Sequence, residues 1–268
     1  MKLWDQLLGL MGGQESLRIW FVAFLASILI AGIWSGFFKA RKVQPKGFKW
    51  KTLRTEAIVA AITLAIVGPT MGFGTGWLAR NGWITPVKAP AEWWQIGLEY
   101  TAYFVLFDTW FYWFHRAMHK EPMYKWVHKV HHWSTSPNLL TTLSVNPLES
   151  LINGGFVPLF LTVTTLMLPI HADTMMLITP TNIFMGLYVH SGYEFLPRWW
   201  NKSWATKWFI TATFHDQHHK YFNYNFGGYT SIWDRICGTM RAKYESDFEK
   251  AGAGRKVQPT APAEGVTA

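Results

Sequence analysis

The chain has 268 residues, of which 50% are hydrophobic, 17% aromatic and 15% charged. Soluble domains carry roughly 25% charged residues, so this composition favours a membrane protein. The formal net charge of +9 does not indicate a nucleic-acid partner, because many of the basic residues lie in one short loop. The single cysteine, Cys237, excludes an intrachain disulfide and any cluster held by several thiolates.

Two apolar blocks come first along the chain. Residues 19–38 and 57–79 contain no charged side chain, and each is long enough to cross a hydrocarbon core of about 30 Å. The positive-inside rule places the loop between them in the cytoplasm. Its basic residues are Lys39, Arg41, Lys42, Lys46, Lys49, Lys51 and Arg54. We assign residues 1–92 to an N-terminal transmembrane pair with this basic loop.

Three further apolar blocks follow, at residues 93–114, 150–170 and 174–189. The first contains Glu99 and Asp108, and carboxylates inside a membrane are costly unless they serve a partner. The other two form a predicted hairpin with His171 at its tip.

These blocks predict the fold class. We expect an all-α integral membrane protein with about four to five transmembrane helices and a histidine-rich helical cap that faces the cytoplasm. Residues 93–245 form the predicted catalytic domain. Residues 246–268, rich in Ala, Gly, Pro and Thr towards their end, form a predicted disordered tail.

Nine of the ten histidines fall into four groups that this topology places on the cytoplasmic side. These groups are His115 with His119, then His128, His131 and His132, then His190, and finally His215, His218 and His219. Helical spacings of three and four residues put imidazoles on one face, where two or three of them can bind one metal. Nine imidazoles exceed the capacity of one metal, so we predict two metal ions. His171 is left out because the topology puts it on the opposite side.

Side chains near the histidines are candidates for orienting them. Asp108 and Tyr112 share a helix face with the first histidine pair, and a carboxylate there can orient an imidazole. The alternative for Asp108 is a carboxylate that burial neutralises or that faces a neighbouring helix. Asp216 lies inside the last histidine motif, and Glu194 follows His190 by four residues. Solvated surface charge is the alternative for both. We select Asp108, Tyr112 and Asp216 as the catalytic candidates.

Spacing alone does not identify the metal, because imidazole suits iron, zinc, copper and nickel. Iron with dioxygen fits a site at the membrane face above a hydrophobic bundle that can hold a lipid. Zinc can replace iron during expression. Two non-enzymatic readings remain open: a membrane metal transporter or storage protein, and a lipid-binding protein with a structural zinc site. Transport sites usually lie near the bilayer midplane, which disfavours the transporter.

The ordered set HxxxH, HxxHH and HxxHH resembles the sterol desaturase and fatty acid hydroxylase superfamily over residues 107–241. The segments similar to C-4 methylsterol oxidases are 108–112, 115–116, 124–125, 128–132, 147–149, 190–193 and 215–219. Residues 221–227, 233–235 and 238–239 are equally similar to C-5 sterol desaturases. One departure stands out: sterol-acting members commonly carry His before Pro147, where this chain has Asn146.

The resemblance implies a membrane oxygenase in which two iron ions, O2 and external electrons hydroxylate or desaturate a sterol-like lipid. A fatty acyl or sphingoid lipid is the alternative substrate. The electrons imply a separate donor, cytochrome b5-like or ferredoxin-like. The basic loop is its expected docking surface, with anionic lipid as the alternative. We expect a multi-pass protein of the endoplasmic reticulum or a bacterial inner membrane, with its active site on the cytoplasmic face.

Overall fold

The computed structural model of the protein describes residues 39–44 and 50–254. Within these residues the regular structure is helical, and the β-structure is limited to isolated bridges such as the one between Lys42 and Tyr193. The predicted all-α class is thereby confirmed. The apolar block at 19–38 lies outside the described residues, as do Lys46 and Lys49 of the basic loop.

Four long helices form the body of the described chain. They are α1 (Trp50–Arg80), α2 (Trp93–Met118), α3 (Pro147–Met167) and α4 (Ala172–Val189). Helix α1 packs on α3, and α2 packs on both α3 and α4.

Helices α1 and α3 are long and apolar enough to cross a membrane. Only 11% of the most apolar window of α1 and 17% of that of α3 are buried inside the protein. The core helix of a soluble protein would be mostly buried, so this exposure agrees with a membrane protein. The count of four to five spans and the cytoplasmic face stay predictions.

Aromatic side chains hold α2 against α3. Tyr103 of α2 lies with its ring centroid 5.3 Å from that of Phe160, and Phe107 lies 5.5 Å from Phe156. Tyr229, from the loop at residues 222–231, adds a contact of 5.0 Å to Phe107. These separations are within the range of about 4.5–7 Å in which aromatic pairs attract. The cluster fixes the relative positions of the helix ends that carry the histidines.

Helix α4 separates two histidines by its whole length. His171 precedes its first residue and His190 follows its last. Eighteen residues at a rise of about 1.5 Å each put about 27 Å between the two. His171 instead pairs with Glu99 of α2, whose Oε1 is 2.6 Å from its Nδ1, and Thr174 donates to the same carboxylate. Glu99 therefore has partners at the end of the bundle opposite His190.

Three shorter α-helices follow α4: α5 (Ala212–Tyr221), α6 (Ile232–Ile236) and α7 (Tyr244–Gly252). Short 3-10 or π-helical turns lie at Lys39–Arg41, Tyr124–His128, His131–Trp133 and Leu139–Thr142. Helix α7 packs on α5 through Phe214, Tyr244 and Phe248, which are almost fully buried. The disordered tail predicted from residue 246 therefore begins too early, because residues 246–252 are helical and Phe248 anchors them in the core. The chain beyond residue 254 lies outside the described residues.

Candidate metal centre

The structure brings the nine selected histidines together and divides them into two clusters. The first cluster contains His115, His119, His128, His132 and His218; the second contains His131, His190, His215 and His219. Within each cluster the candidate ligand atoms all lie within 4.8 Å of one another. Every one of the nine is buried except His119, which is half-buried. Two such groups are what two metal ions require, and the role of the nine as ligands stays a prediction.

Each HxxHH motif contributes to both clusters. In the first motif the outer pair belongs to the first cluster, and His131 belongs to the second. In the second motif the assignment is reversed, with His218 in the first cluster and the outer pair in the second. The second motif lies on α5, where its outer histidines, four residues apart, share a helix face and the middle one is offset around the axis. The first motif runs from a π-helical turn (Tyr124–His128) into a 3-10 turn (His131–Trp133). The two motifs thus face each other, and each contributes one imidazole to the cluster that contains the outer pair of the other motif.

Nitrogen separations in the first cluster are those of ligands around a cation. The Nε2 atom of His132 lies 2.9 Å from that of His128, 3.2 Å from that of His119 and 3.1 Å from that of His218. A ring nitrogen has either one hydrogen or one lone pair, so it cannot bond three such neighbours at once. Adjacent imidazole ligands with metal–nitrogen bonds of about 2.1 Å lie roughly 3 Å apart. The donor set therefore fits a metal ion.

The second cluster repeats this geometry with one imidazole fewer. The Nε2 atom of His215 lies 2.9 Å from that of His190 and 3.1 Å from that of His219. The Nε2 atom of His190 is in turn 3.3 Å from that of His131. Helix α4 thus delivers His190 to the centre, as the topology predicted.

Backbone carbonyls fix the orientation of several rings. The Nδ1 atoms donate from His115 to Phe226 (2.8 Å), His190 to Gly186 (2.7 Å), His218 to Tyr224 (2.8 Å) and His219 to Ser134 (2.9 Å). A hydrogen on Nδ1 leaves the lone pair on Nε2, which is the atom that faces the cluster. The sequence predicted carboxylates in this role. Carbonyl oxygens that orient a ring cannot be recognised from a sequence, because every residue carries one.

Burial keeps the imidazoles neutral. It lowers the pKa of His190 to about 4 and holds the pKa of His131 and His215 well below the ordinary value, with neighbouring imidazoles adding to the effect for the last two. A metal binds the neutral form of imidazole. The cluster is therefore in its binding form at neutral pH.

The hydrogen bonds of Asp108 within the described chain are made with Tyr229 and Thr230, and none is made with an imidazole. Its carboxylate accepts from the backbone N–H of Tyr229 (2.8 Å) and of Thr230 (2.9 Å), and from the Thr230 hydroxyl. Asp108 precedes His115 by seven residues, which is about 10 Å along the helix axis and too far for contact. Asp108 lies on the same helix as His115, and its side chain holds the loop at residues 229–230.

We expect Asp108→Asn to destabilise the protein without emptying the centre. The amide nitrogen would face N–H donors, so the free energy of unfolding should fall by about 1.5–3 kcal/mol, as for hydrogen bonds to a charged group. Denaturation in detergent measures this change, and Glu245→Gln at an exposed ion pair serves as the control. Loss of iron from a variant that unfolds like the wild type would instead place Asp108 in contact with the metals.

Tyr112 joins a network that sequence analysis did not resolve, centred on Asp234. The Asp234 carboxylate accepts from the N–H groups of Phe226 (2.8 Å) and Gly227 (2.7 Å) and from the Thr239 hydroxyl (2.7 Å). The Tyr112 hydroxyl lies 3.0 Å from that of Thr239. Tyr112 and Asp234 thereby hold the loop that contains Phe226, whose carbonyl orients His115. The similarity at residues 233–235 was the only sequence signal for Asp234.

Asp216 and Glu194 also form hydrogen bonds with other parts of the protein. Asp216 accepts from the side-chain amide of Gln44 at 2.8 Å, which links the basic loop to α5. Glu194 accepts from the N–H and the hydroxyl of Thr213, at 3.0 and 2.7 Å, and so fixes the first turn of α5. Both act on the helix that carries the last histidine motif, and neither is a solvated surface charge, since both are buried.

Glu149, which lies in one of the segments similar to C-4 methylsterol oxidases, is the carboxylate that reaches an imidazole of the two clusters. Its Oε1 lies 2.9 Å from Nδ1 of His128, an ion-pair distance without the alignment of a hydrogen bond. Asn146, the departure from the sterol-acting pattern, caps α3: it accepts from the N–H of Leu148 and donates to the carbonyl of Trp126.

A cavity of about 260 Å³ opens between α2, α3 and α4 and reaches both clusters. Its histidines are His115, His128, His131, His190 and His215. Its remaining walls are mainly apolar, with Phe107, Phe111, Val145, Met185 and Val189. An apolar ligand in this cavity would contact the imidazoles of both clusters.

Comparisons with known proteins agree with this site. The model of the fatty acid hydroxylase family matches residues 100–239. A C-4 methylsterol oxidase of Schizosaccharomyces pombe is 31% identical over 241 residues, which cover 80% of this chain and 75% of that protein. A putative methylsterol monooxygenase of Dictyostelium discoideum is 29% identical over 236 residues, covering 86% and 82%.

A third relative, the cholesterol 25-hydroxylase of Rattus norvegicus, is 32% identical over 182 residues, covering 65% of this chain and 57% of that protein. No solved structure matches the chain significantly. The family match spans the three histidine motifs and the single His190, and the resemblance drawn from those motifs is confirmed. The chain therefore belongs to the fatty acid hydroxylase family of oxygen-dependent oxidoreductases.

Proposed function

We propose that this chain is a membrane-bound oxygenase that uses two iron ions, O2 and external electrons to oxidise a sterol. One observation carries the proposal: two all-imidazole clusters border the same apolar cavity between membrane-type helices. That arrangement would place one C–H bond of a lipid beside two metals.

Iron is the metal that suits this setting. All-imidazole donor sets accept several first-row metals, and oxidation of an unactivated C–H bond requires one that activates dioxygen. The first cluster would hold one iron ion and the second cluster the other. One oxygen atom enters the C–H bond and the other leaves as water, which consumes two electrons from a separate donor and two protons from the solvent.

The chain's own residues supply position and a dry environment. Carbonyl oxygens such as that of Phe226 keep the Nε2 lone pairs of His115, His190, His218 and His219 directed at the clusters. Phe107 and Phe111 line the cavity and limit the access of water. Holding the reacting carbon beside the metals accounts for much of the rate that such a site can supply.

A sterol is supported by the relatives, two of which are named for methylsterol oxidation and one for cholesterol hydroxylation. The apolar walls of the cavity agree with a polycyclic lipid. The donor would be cytochrome b5-like or ferredoxin-like and would approach the histidine end from the cytoplasm, where the basic loop lies in our topology.

Reconstitution tests the proposed function. We expect the protein loaded anaerobically with iron, in lipid nanodiscs, to convert a C-4 methyl sterol to an oxidised product when O2, a reductase and a ferredoxin are supplied. Mass spectrometry should detect one labelled oxygen atom from 18O2 in the product. Protein loaded with zinc is the control and should give none, because zinc has no redox chemistry. Unchanged sterols beside hydroxylated acyl chains would move the chain to acyl-lipid oxidation.

A further inference from the structure

Two oxygen atoms at the cavity have no hydrogen-bond partner among the described residues: Oε2 of the Glu149 carboxyl group and Oδ1 of the Asn153 amide. The Oδ1 atom of Asn153 is buried and accepts no hydrogen bond from the described residues, and Asn153 lines the cavity. Leaving a buried acceptor unpaired costs about 1–3 kcal/mol. A leucine at this position would avoid the cost, so the unpaired amide indicates a ligand that carries a hydrogen-bond donor.

Asn153 lies close to the metal clusters. It follows Glu149 by four residues on α3, so the two side chains share a face and are about 6 Å apart along the axis. The Glu149 carboxylate is the one that lies 2.9 Å from Nδ1 of His128. A group bound by Asn153 is therefore held within one helical turn of the side chain that contacts the first cluster.

The far end of the cavity is different. Asn182 lines it on α4, eight residues before His190 and therefore about 12 Å away along the axis. Its amide already exchanges hydrogen bonds with the hydroxyl of Tyr103 and accepts from that of Tyr229. Both unpaired oxygens, of Glu149 and Asn153, are thus at the metal end, and the amide at the far end is already satisfied.

The cavity also holds only part of a sterol. Its volume is about 260 Å³, below the roughly 300–1,000 Å³ of pockets that enclose whole ligands. One end of the lipid would enter, and Asn153 selects the end that bears a hydroxyl. In a sterol the 3-hydroxyl and a C-4 methyl group are on adjacent ring carbons, whereas C-25 is at the opposite end of the molecule.

We propose that Asn153 binds the 3-hydroxyl of a sterol through its unpaired Oδ1 and so presents the neighbouring C-4 substituents, not the side chain, to the metal clusters. This inference rests on the proposed function, because it takes a sterol as the substrate. It makes Asn153 a specificity-determining residue and assigns the oxidised position to ring A.

Binding without turnover tests the inference. Iron-loaded protein in nanodiscs, kept without reductant, is mixed with a C-4 methyl sterol or with its 3-deoxy analogue, and the retained sterol is measured by mass spectrometry. We expect wild-type protein to bind the hydroxylated sterol about ten-fold or more tightly than the analogue. In Asn153→Leu the ratio should fall to about one. Ser150→Ala, on the same helix and in the same cavity, is the matched control and should keep the wild-type ratio.

Each outcome separates the two proposals. Equal binding of both sterols by wild-type protein overturns the inference without the aid of any variant. A ratio that persists in Asn153→Leu, or that collapses in Ser150→Ala, also overturns the assignment to Asn153. Iron content and the unfolding midpoint are measured on the same samples and should match the wild type. Retention of acyl lipids with no sterol bound contradicts the proposed function itself.

Discussion

His190→Ala should halve the iron content of the reconstituted protein and reduce sterol oxidation by at least about 100-fold. Substitution of a residue that only contacts a metal ligand already lowers metal affinity or activity by up to about 100-fold, so loss of a ligand should cost at least as much. His190 belongs to the cluster that has only four imidazoles. Its Nε2 lies 2.9 Å from that of His215 and 3.3 Å from that of His131. Removal leaves three ligands, whereas the other cluster keeps all five. We therefore expect selective loss of one ion, measured by elemental analysis of protein loaded anaerobically.

His171→Ala is the matched control, because it removes an equally buried histidine from the opposite end of the same helix. It should leave iron content and activity nearly unchanged. A stability loss of about 1–3 kcal/mol is expected, since Glu99 loses the side-chain partner at 2.6 Å. If His171→Ala lost iron and His190→Ala kept it, the assignment of the two ends would be wrong.

Much of the centre follows from spacing along the chain. On α2 and α5, spacings of three and four residues put imidazoles on common faces. Helices α2 and α4 both end at the clusters, with His119 and His190 as their C-terminal caps. What spacing cannot give is the partition into clusters. His131 and His218 cross to the opposite cluster because the two HxxHH segments face each other, which is a property of tertiary packing.

The surroundings of the histidines were predicted less well, for a physical reason. An imidazole is oriented by any acceptor at the right distance, and here several of the acceptors are main-chain carbonyls. Asp108 was expected to have a partner, because a carboxylate in a predicted membrane span is costly without one, and it does have partners. Those partners lie in a loop more than a hundred residues later, at Tyr229 and Thr230, which helical geometry alone does not reveal.

Two carboxylate–histidine pairs at similar distances occur among the described residues, and one of them lies at the candidate metal centre. Glu149 is 2.9 Å from Nδ1 of His128, and Glu99 is 2.6 Å from Nδ1 of His171. A carboxylate beside a metal-binding imidazole raises its basicity and fixes its ring, and loss of such a partner typically lowers metal affinity about 10–100-fold. Substitution of Glu149 therefore tests the effect of a carboxylate on metal binding, and the same substitution of Glu99 is its control.

We expect Glu149→Gln to weaken iron binding by about 10–100-fold, while Glu99→Gln leaves it unchanged. Glutamine keeps the size of the side chain and removes the charge, so any difference reports on the carboxylate rather than on packing. Iron affinity is measured by competition with a chelator, because Glu149 also lines the cavity and activity alone would mix metal binding with substrate binding. Equal iron affinity in the two variants would show that the Glu149 charge does not act through His128, and a loss confined to Glu99→Gln would move the metal site to the other end of the bundle.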